Sequence, residues 1–314
     1  MSYGLPTRAA LRPDGLYLEL RDIAANQLGD PFMQETVRRV AASRSILEIP
    51  SADVGAMAAD MAPVGLIFHV ARCGSTLASQ LLKLSGRAVV YAEPPPMNEL
   101  IVPPRTEERS KIIGALRSLG AAFARHARGR YVLKLSSWNV LFCDIIAEAF
   151  PSTPWALCVR DPVEVCVSII ESRPGWLRDA GAPAHVFRPV IDPLNEAPTF
   201  EDYVAQMYGA FCRAAANLDL ARGLLLRYET LPDAIWTRLA PHFDLLVDDA
   251  LQRRMAEASR VYSKAPLGRT TAFVPDDATK RRAASLALLR AIDARARPAL
   301  DALTARFSPR QIVG

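Results

Sequence analysis

The stretch FHVARCGSTLASQLL, residues 68–82, decides how the chain is to be read. An apolar strand runs into a short polar turn with one glycine, and the turn opens into an amphipathic helix. Strand, tight turn and helix start together present backbone N–H groups to an anion. The ATP-binding signature G-x-x-x-x-G-K-[ST] is missing, because no Gly-Lys pair precedes Ser75 and Thr76. Within ARCGST, Gly74 permits the sharp turn and Arg72 sets a cation beside it. Ser75 and Thr76 bring hydroxyls to the first helical turn, and Leu77, Leu81, Leu82 and Leu84 give that helix its buried side. A plain strand–helix turn capped by Ser75 would look the same, so the motif alone does not decide function.

Around this turn, β-rich runs fall at Gly65–Val70, Arg87–Tyr91, Arg130–Leu135, Trp155–Arg160 and Leu224–Tyr228. They are nearly continuous in apolar residues, as strands buried on both faces are. Helical patterns lie between them at Thr76–Leu84, Glu108–Ala127, Asn139–Phe150, Pro162–Ser172 and Asp202–Leu218. The alternation predicts an α/β fold, a central parallel sheet flanked by helices. Residues after Leu231 read as mostly helical. Residues 1–62 read as an irregular N-terminal extension with a helix in PFMQETVRRVAA and a β-like SILEIP.

Composition narrows the function classes. With 314 residues, half of them hydrophobic, the chain can bury a full core. No apolar run approaches a membrane span, and MSYGLPTRAALRPDG lacks the pattern of a signal peptide. Cysteines at 73, 143, 158, 166 and 212 form neither CxxC pairs nor a disulfide framework, which fits reduced thiols in the cytoplasm. Four scattered histidines make no zinc pattern, so no metal is expected. The net charge of +5 is not gathered in a basic tail or interleaved with aromatics, which argues against nucleic acid. An excess of cations does suit a pocket for a multiply anionic small molecule.

A second element sharpens the reading. WALCVRDPVEVCVSII sets Arg160 at a strand end, Asp161 at a helix N-cap and Pro162 at the first helical position. Ser168 lies two turns in, on the face of Glu164, where it and Arg160 could grip a further phosphate. A bare helix start with Arg160 paired to Asp161 is the other reading.

Together the two motifs resemble the sulfotransferase family, whose donor is 3′-phosphoadenosine 5′-phosphosulfate and whose product is adenosine 3′,5′-bisphosphate. Arg72-Cys73-Gly74-Ser75-Thr76 looks like the family's 5′-phosphosulfate loop, and VRDPVEVCVS like its 3′-phosphate motif. LRYETLPD, holding Tyr228, is similar to the segment whose tyrosine lies near the adenine. The resemblance spans about residues 63–280 and implies a sulfotransferase domain of P-loop-containing nucleotide-binding-like fold over 63–314, with residues 1–62 on the acceptor side. The chain departs from the pattern in places. Cys73 replaces a serine, Arg72 stands where many members have lysine, and the late R-K-G clamp is missing. The loop SKAPLGRTTAF, with Lys264 and Arg269, is its nearest substitute.

The resemblance implies in-line sulfuryl transfer with no required magnesium. By analogy with phosphoryl transfer, such a reaction needs alignment, cations on the leaving phosphate and a base for the acceptor proton. Arg72 and the Gly74–Thr76 amides suit the leaving group. Lys134, ending YVLKLSS, matches a strand lysine of several family branches, and a surface lysine at a strand end is the plainer reading. Glu93, in YAEPPPMN, resembles the catalytic glutamate of an E-P-x-x-F segment and is preferred as base to His69, which sits within a strand. A P-loop kinase or NTPase of related fold, and a non-catalytic nucleotide-binding module, are the rival readings. The acceptor stays open: an alcohol, phenol, amine or amide nitrogen, on a free small molecule or on an intermediate tethered to a carrier protein. The oligomeric state is equally open.

Overall fold

Apolar runs and β-strands coincide closely in the computed structural model, which describes residues 4–55, 61–102, 108–178, 186–261, 263, 264, 272 and 277–313. The chain opens with β1 (Leu5–Arg12), β2 (Gly15–Arg21), α1 (Met33–Arg39) and β3 (Arg44–Pro50). The main unit continues with β4 (Gly65–His69), α2 (Ser75–Leu84), β5 (Val89–Ala92), α3 (Pro95–Ile101), α4 (Arg109–Ala127) and β6 (Tyr131–Lys134). Then come α5 (Cys143–Ala149), β7 (Trp155–Val159), α6 (Pro162–Glu171), α7 (Arg188–Ile191), α8 (Phe200–Ala216) and β8 (Gly223–Arg227). Helices α9 (Ala240–His242), α10 (Asp249–Ala258), α11 (Asp277–Ala283), α12 (Leu286–Ala291) and α13 (Arg297–Thr304) precede a two-residue β9 (Ile312–Val313).

The main sheet is parallel throughout, in the order β5-β6-β4-β7-β8-β9. Every residue of β4, β6 and β7 is buried, which accounts for their unbroken apolar runs. From β4 the chain moves out to β5, returns to β6 and then crosses to β7 on the other side of β4. In such open sheets ligands bind beyond the carboxyl ends of the strands. One predicted helix divides: Asn139–Phe150 begins within a 3₁₀ segment, Ser137–Phe142, and only then becomes α5.

The N-terminal segment is more regular than its sequence reading. Strands β1, β2 and β3 form a three-stranded antiparallel sheet. Leu16 and Leu18 alternate into the core, and a Cβ on Gly15 would lie 2.3 Å from the Ile49 carbonyl oxygen, so the β2–β3 approach needs glycine. This sheet is tied to the main unit: the Ala9 N–H donates to Glu99 on α3 at 2.7 Å, and Lys83 on α2 donates to the Asp30 carbonyl at 2.5 Å. After β8 the described chain is mostly helical, as expected. No helix among the described residues is long and apolar enough to cross a membrane.

Candidate active site

The residues singled out in the sequence meet at one edge of the main sheet. Arg72–Thr76, read from the sequence as an anion loop, follows β4, Glu93 follows β5, Lys134 ends β6, Arg160 follows β7 and Tyr228 follows β8. They line a cleft of about 440 Å³ together with His69, Ser168 and Lys264. Arg269 lies outside the described residues.

Backbone strain is concentrated here. Ala71, Arg72 and Glu93 all have positive φ, at 68°, 52° and 52°. Non-glycine residues held there cost on the order of 1 kcal/mol or more, and such residues cluster at functional sites. Gly74, at φ 83°, is the N-cap of α2 and offers no side chain to the first-turn N–H groups. A Cβ there would sit 2.4 Å from Leu231 Cδ1 and 3.1 Å from Tyr228 Cδ2. The helix therefore starts on bare amides next to the cleft, an arrangement fitted to an anion.

Among the described residues five cationic side chains, Arg72, Lys134, Arg160, Lys264 and Lys280, line the cleft against one carboxylate, Glu93. Burial first, then the charges of Arg72 and Lys134, pulls the Lys264 ammonium down to about 8. That mutual repulsion marks a site built for negative charge.

Arg72, Arg160 and Lys134 each have a resting partner. Arg72 Nε donates to Ser168 Oγ at 2.8 Å and its Nη2 to Ser172 Oγ at 2.7 Å, which joins the anion loop to α6. Arg160 does not pair with Asp161. Its Nε donates to Glu164 at 2.7 Å, its Nη1 to the Arg72 carbonyl at 3.2 Å, and its guanidinium lies 4.0 Å from the Tyr228 ring centroid. Asp161 caps α6 instead, accepting from the Val163 N–H at 2.8 Å. Arg160 and Ser168 thus share the cleft without bonding each other. Glu164 also accepts from Arg281 on α11 at 2.8 Å.

Lys134, 1% exposed, pairs with Glu93, whose side chain is 28% exposed. Burial pushes the Glu93 carboxyl up, but the Lys134 charge and hydrogen bond, with the His69 ring 3.7 Å away, outweigh it and hold the group at about 2. His69 is placed differently from a base. Its Nδ1 accepts the Ala71 N–H at 3.2 Å and its Nε2 lies 2.9 Å from the Leu135 carbonyl, which fixes the neutral ring with the proton on Nε2. Burial and the Lys134 charge lower it to about 4. With both nitrogens engaged, His69 has no free lone pair for an acceptor proton, and the ring acts as a brace between β4 and β6.

Several neighbours escaped the sequence reading. Phe32 from α1's N-cap, Ser137, Ser172, Trp176 and Lys280 line the cleft, and Arg281 reaches Glu164. The sole available signal was the i, i+4 spacing of Ser168 and Ser172, which sets a buried hydroxyl and an exposed one on the same side of α6. Cys73 is buried, as are the other four cysteines, all free thiols. Among the described residues no group of three or more His, Cys, Asp or Glu side chains is placed to hold a metal ion.

No protein-family model matches the chain. No curated protein matches it either. Among solved structures, it is similar to a sulfotransferase from Alicyclobacillus acidocaldarius, at 17% identity and a TM-score of 0.45, over 78% of this chain and 97% of that one. It is also similar to the sulfotransferase domain of the Synechococcus PCC 7002 olefin synthase, at 17% identity and a TM-score of 0.44, over 74% and 94%. A third likeness is to a sulfotransferase from Mycobacterium tuberculosis H37Rv, at 14% identity and a TM-score of 0.39, over 78% of each chain.

Proposed function

We propose that the chain is a sulfotransferase that moves a sulfuryl group from 3′-phosphoadenosine 5′-phosphosulfate to a hydroxyl or nitrogen of a small-molecule or carrier-tethered acceptor. The observation that carries this reading is one cleft beyond the carboxyl ends of the strands that gathers the glycine-started α2, Arg72, Arg160 and the Glu93 carboxylate. The loop after β4 offers bare helix amides and Arg72, the start of α6 offers Arg160, and Glu93 stands beside Lys134.

The donor set fits the nucleotide. Five cations and a helix start match a molecule with a 5′-phosphosulfate and a separate 3′-phosphate. The Arg160-stacked ring of Tyr228 borders a second cleft of about 790 Å³, shared at Gly74 and Ser263 and flanked by Leu231, Arg281 and Arg282, which suits an adenine and its 3′-phosphate. When bound, the donor supplies the sulfuryl group and the leaving phosphate. Arg72 and the α2 amides hold the leaving phosphate, Lys134 neutralises charge on the equatorial oxygens, and Glu93 takes the acceptor proton. The sulfur–oxygen bond to phosphate breaks as the bond from acceptor to sulfur forms.

Lys134 and Glu93 act as a linked pair in this scheme. A carboxylate held at about 2 is a feeble base. Once Lys134 turns toward donor oxygens, burial is no longer opposed by that cation and Glu93 becomes more basic. The base is thereby armed by the donor.

Calorimetry tests the reading. Adenosine 3′,5′-bisphosphate is expected to bind at least about thirtyfold more tightly than AMP, the equivalent of one charge-assisted contact worth about 2 kcal/mol. Equal affinities would remove the 3′-phosphate site. Transfer itself is read by mass spectrometry with heavy-sulfur donor.

A further inference from the structure

Glu93 and Phe32 stand in the walls of two clefts. One is the cation-lined cleft already described, and the other, of about 460 Å³, opens between α1 and α3. Its remaining walls are Gln34, Glu35 and Arg38 from α1, Asn98 and Glu99 from α3, and Ser136 after β6, with Pro95 the one further apolar contributor. A group lying here meets the Glu93 carboxylate without entering the cationic side.

The charges of this second cleft largely cancel. Glu93 pairs with Lys134, and Glu99 pairs with Arg8 while accepting the Ala9 N–H at 2.7 Å. Glu35 accepts the Phe32 N–H at 3.2 Å, and Arg38 follows it on α1 with the opposite sign. Asn98 and Ser136 are held in fixed orientation. Asn98 Nδ2 donates to Ser136 Oγ at 3.0 Å, Asn98 Oδ1 accepts from Asn139 Nδ2 at 3.0 Å, and Asn139 Oδ1 accepts the Ser136 N–H at 2.8 Å. That network sets which end of the Asn98 amide donates, and it leaves one Asn98 N–H and one lone pair with no protein partner among the described residues.

Resting on the sulfotransferase reading, the geometry points to this second cleft as the acceptor subsite and to a neutral, hydroxyl-rich acceptor, a saccharide or another polyol. An apolar phenol or lipid alcohol would strip water from Gln34, Asn98 and Ser136 and return no hydrogen bonds. An ammonium would find no net negative charge, because Lys134, Arg8 and Arg38 balance Glu93, Glu99 and Glu35. A polyol answers each amide and hydroxyl, and one of its hydroxyls then faces Glu93. In the transfer its O–H proton passes to the Glu93 carboxylate as its oxygen bonds to sulfur, and the sulfur–oxygen bond to the nucleotide phosphate breaks. The N-terminal segment thereby gains a role: it furnishes one wall of the subsite through α1, and β1 anchors the α3 wall through Glu99.

Two measurements test this on the full chain. Saturation-transfer NMR, with adenosine 3′,5′-bisphosphate present, uses methyl glucoside, maltose, p-nitrophenol and propylamine as probes. Signal on the sugars, lost in Asn98→Ala and reduced in Gln34→Ala, is the expected result. Stronger signal on p-nitrophenol or propylamine overturns the assignment, as does sugar signal indifferent to both substitutions. Gln34 is exposed on α1, so its variant keeps the test alive if Asn98→Ala unfolds. Second, a mixed metabolite extract is incubated with heavy-sulfur donor. Sulfated products rich in hydroxyls are expected, with KM raised about tenfold in either variant, the loss of one or two hydrogen bonds. Sulfated phenols or apolar alcohols would overturn the acceptor class while leaving sulfuryl transfer intact. No nucleotide binding and no transfer at all would sink the enzyme reading itself, and the acceptor class with it.

Discussion

Arg160 Nε donates to a Glu164 carboxylate oxygen at 2.7 Å, with neither side chain more than 5% exposed. The other Glu164 oxygen accepts from Arg281 at 2.8 Å. One buried carboxylate therefore serves as counter-ion to two guanidiniums and ties α6 to α11 beside the candidate donor site. Glu164→Gln keeps the shape and removes the charge. Because breaking a buried pair is costly, this variant is expected to lose about 3 kcal/mol of stability in denaturant titration. A bound bisphosphate would replace the missing anion. The gain in Tm on saturation with adenosine 3′,5′-bisphosphate should then be larger in Glu164→Gln than in the wild type. Equal gains would place no phosphate near Arg160.

Arg160 itself is the plainest test of the second anion element. Arg160→Ala leaves Glu164 with Arg281 as partner, so the protein is expected to stay folded. Affinity for adenosine 3′,5′-bisphosphate should fall by about 2 kcal/mol, roughly thirtyfold, with affinity for AMP little changed. Unchanged bisphosphate affinity in the folded variant would remove Arg160 from the site.

Much of this geometry is legible in the sequence, and the rest is hidden for physical reasons. The strands of the main sheet announce themselves because burial on both faces leaves little room for polar residues: all of Gly65–His69 and Trp155–Val159 is inside. The loop and Arg160 are legible because a glycine, a helix start and a cation at set spacing make a local pattern. The β1–β2 hairpin was available in the Pro-Asp-Gly turn between alternating runs at Leu11 and Leu16–Leu20. The prolines after Glu93 obscured α3, although proline is well suited to a first helical turn. Arg281 approaches Glu164 across 117 positions, and no local pattern encodes such a contact. The resting bond of Arg72 to Ser168 spans 96 positions and is hidden for the same reason.

Lys134 offers a test by pH. With the cation beside it, Glu93 titrates at about 2, so the acid limb of wild-type kcat/KM due to this group lies below pH 4. Lys134→Met removes the largest force lowering that carboxyl, and burial then drives it upward from its ordinary value of 4.5. The acid limb should move up into the readily measured range. Stability follows in sign. In the wild type, the depressed Glu93 adds stability that is present above pH 4.5 and lost as pH falls toward 2. In Lys134→Met the raised carboxyl costs stability at neutral pH, and part returns as pH falls through its new pKa. An unmoved acid limb, with Tm still falling on acidification, would separate Glu93 from Lys134.

Glu93→Gln tests the proposed base. Glutamine keeps the length of the side chain and an oxygen for Lys134, so the strained backbone at φ 52° and the cleft wall should persist. It cannot accept the acceptor's proton. Affinity for adenosine 3′,5′-bisphosphate is expected to stay within about threefold, because the carboxylate faces the cations and contributes no donor-side hydrogen bond. The chemical rate at saturating donor should fall by about 10²–10⁴-fold, the usual range for a lost general base. The drop should be steepest for an aliphatic hydroxyl, whose proton is held tightly, and shallow for an acceptor already ionised. His69 is unable to substitute, since its Nδ1 is taken by the Ala71 N–H and its Nε2 proton faces the Leu135 carbonyl. Should Glu93→Gln keep most of its rate on an aliphatic alcohol, the proton must leave by another route, and Glu35 on the neighbouring wall of α1 becomes the next carboxylate to remove.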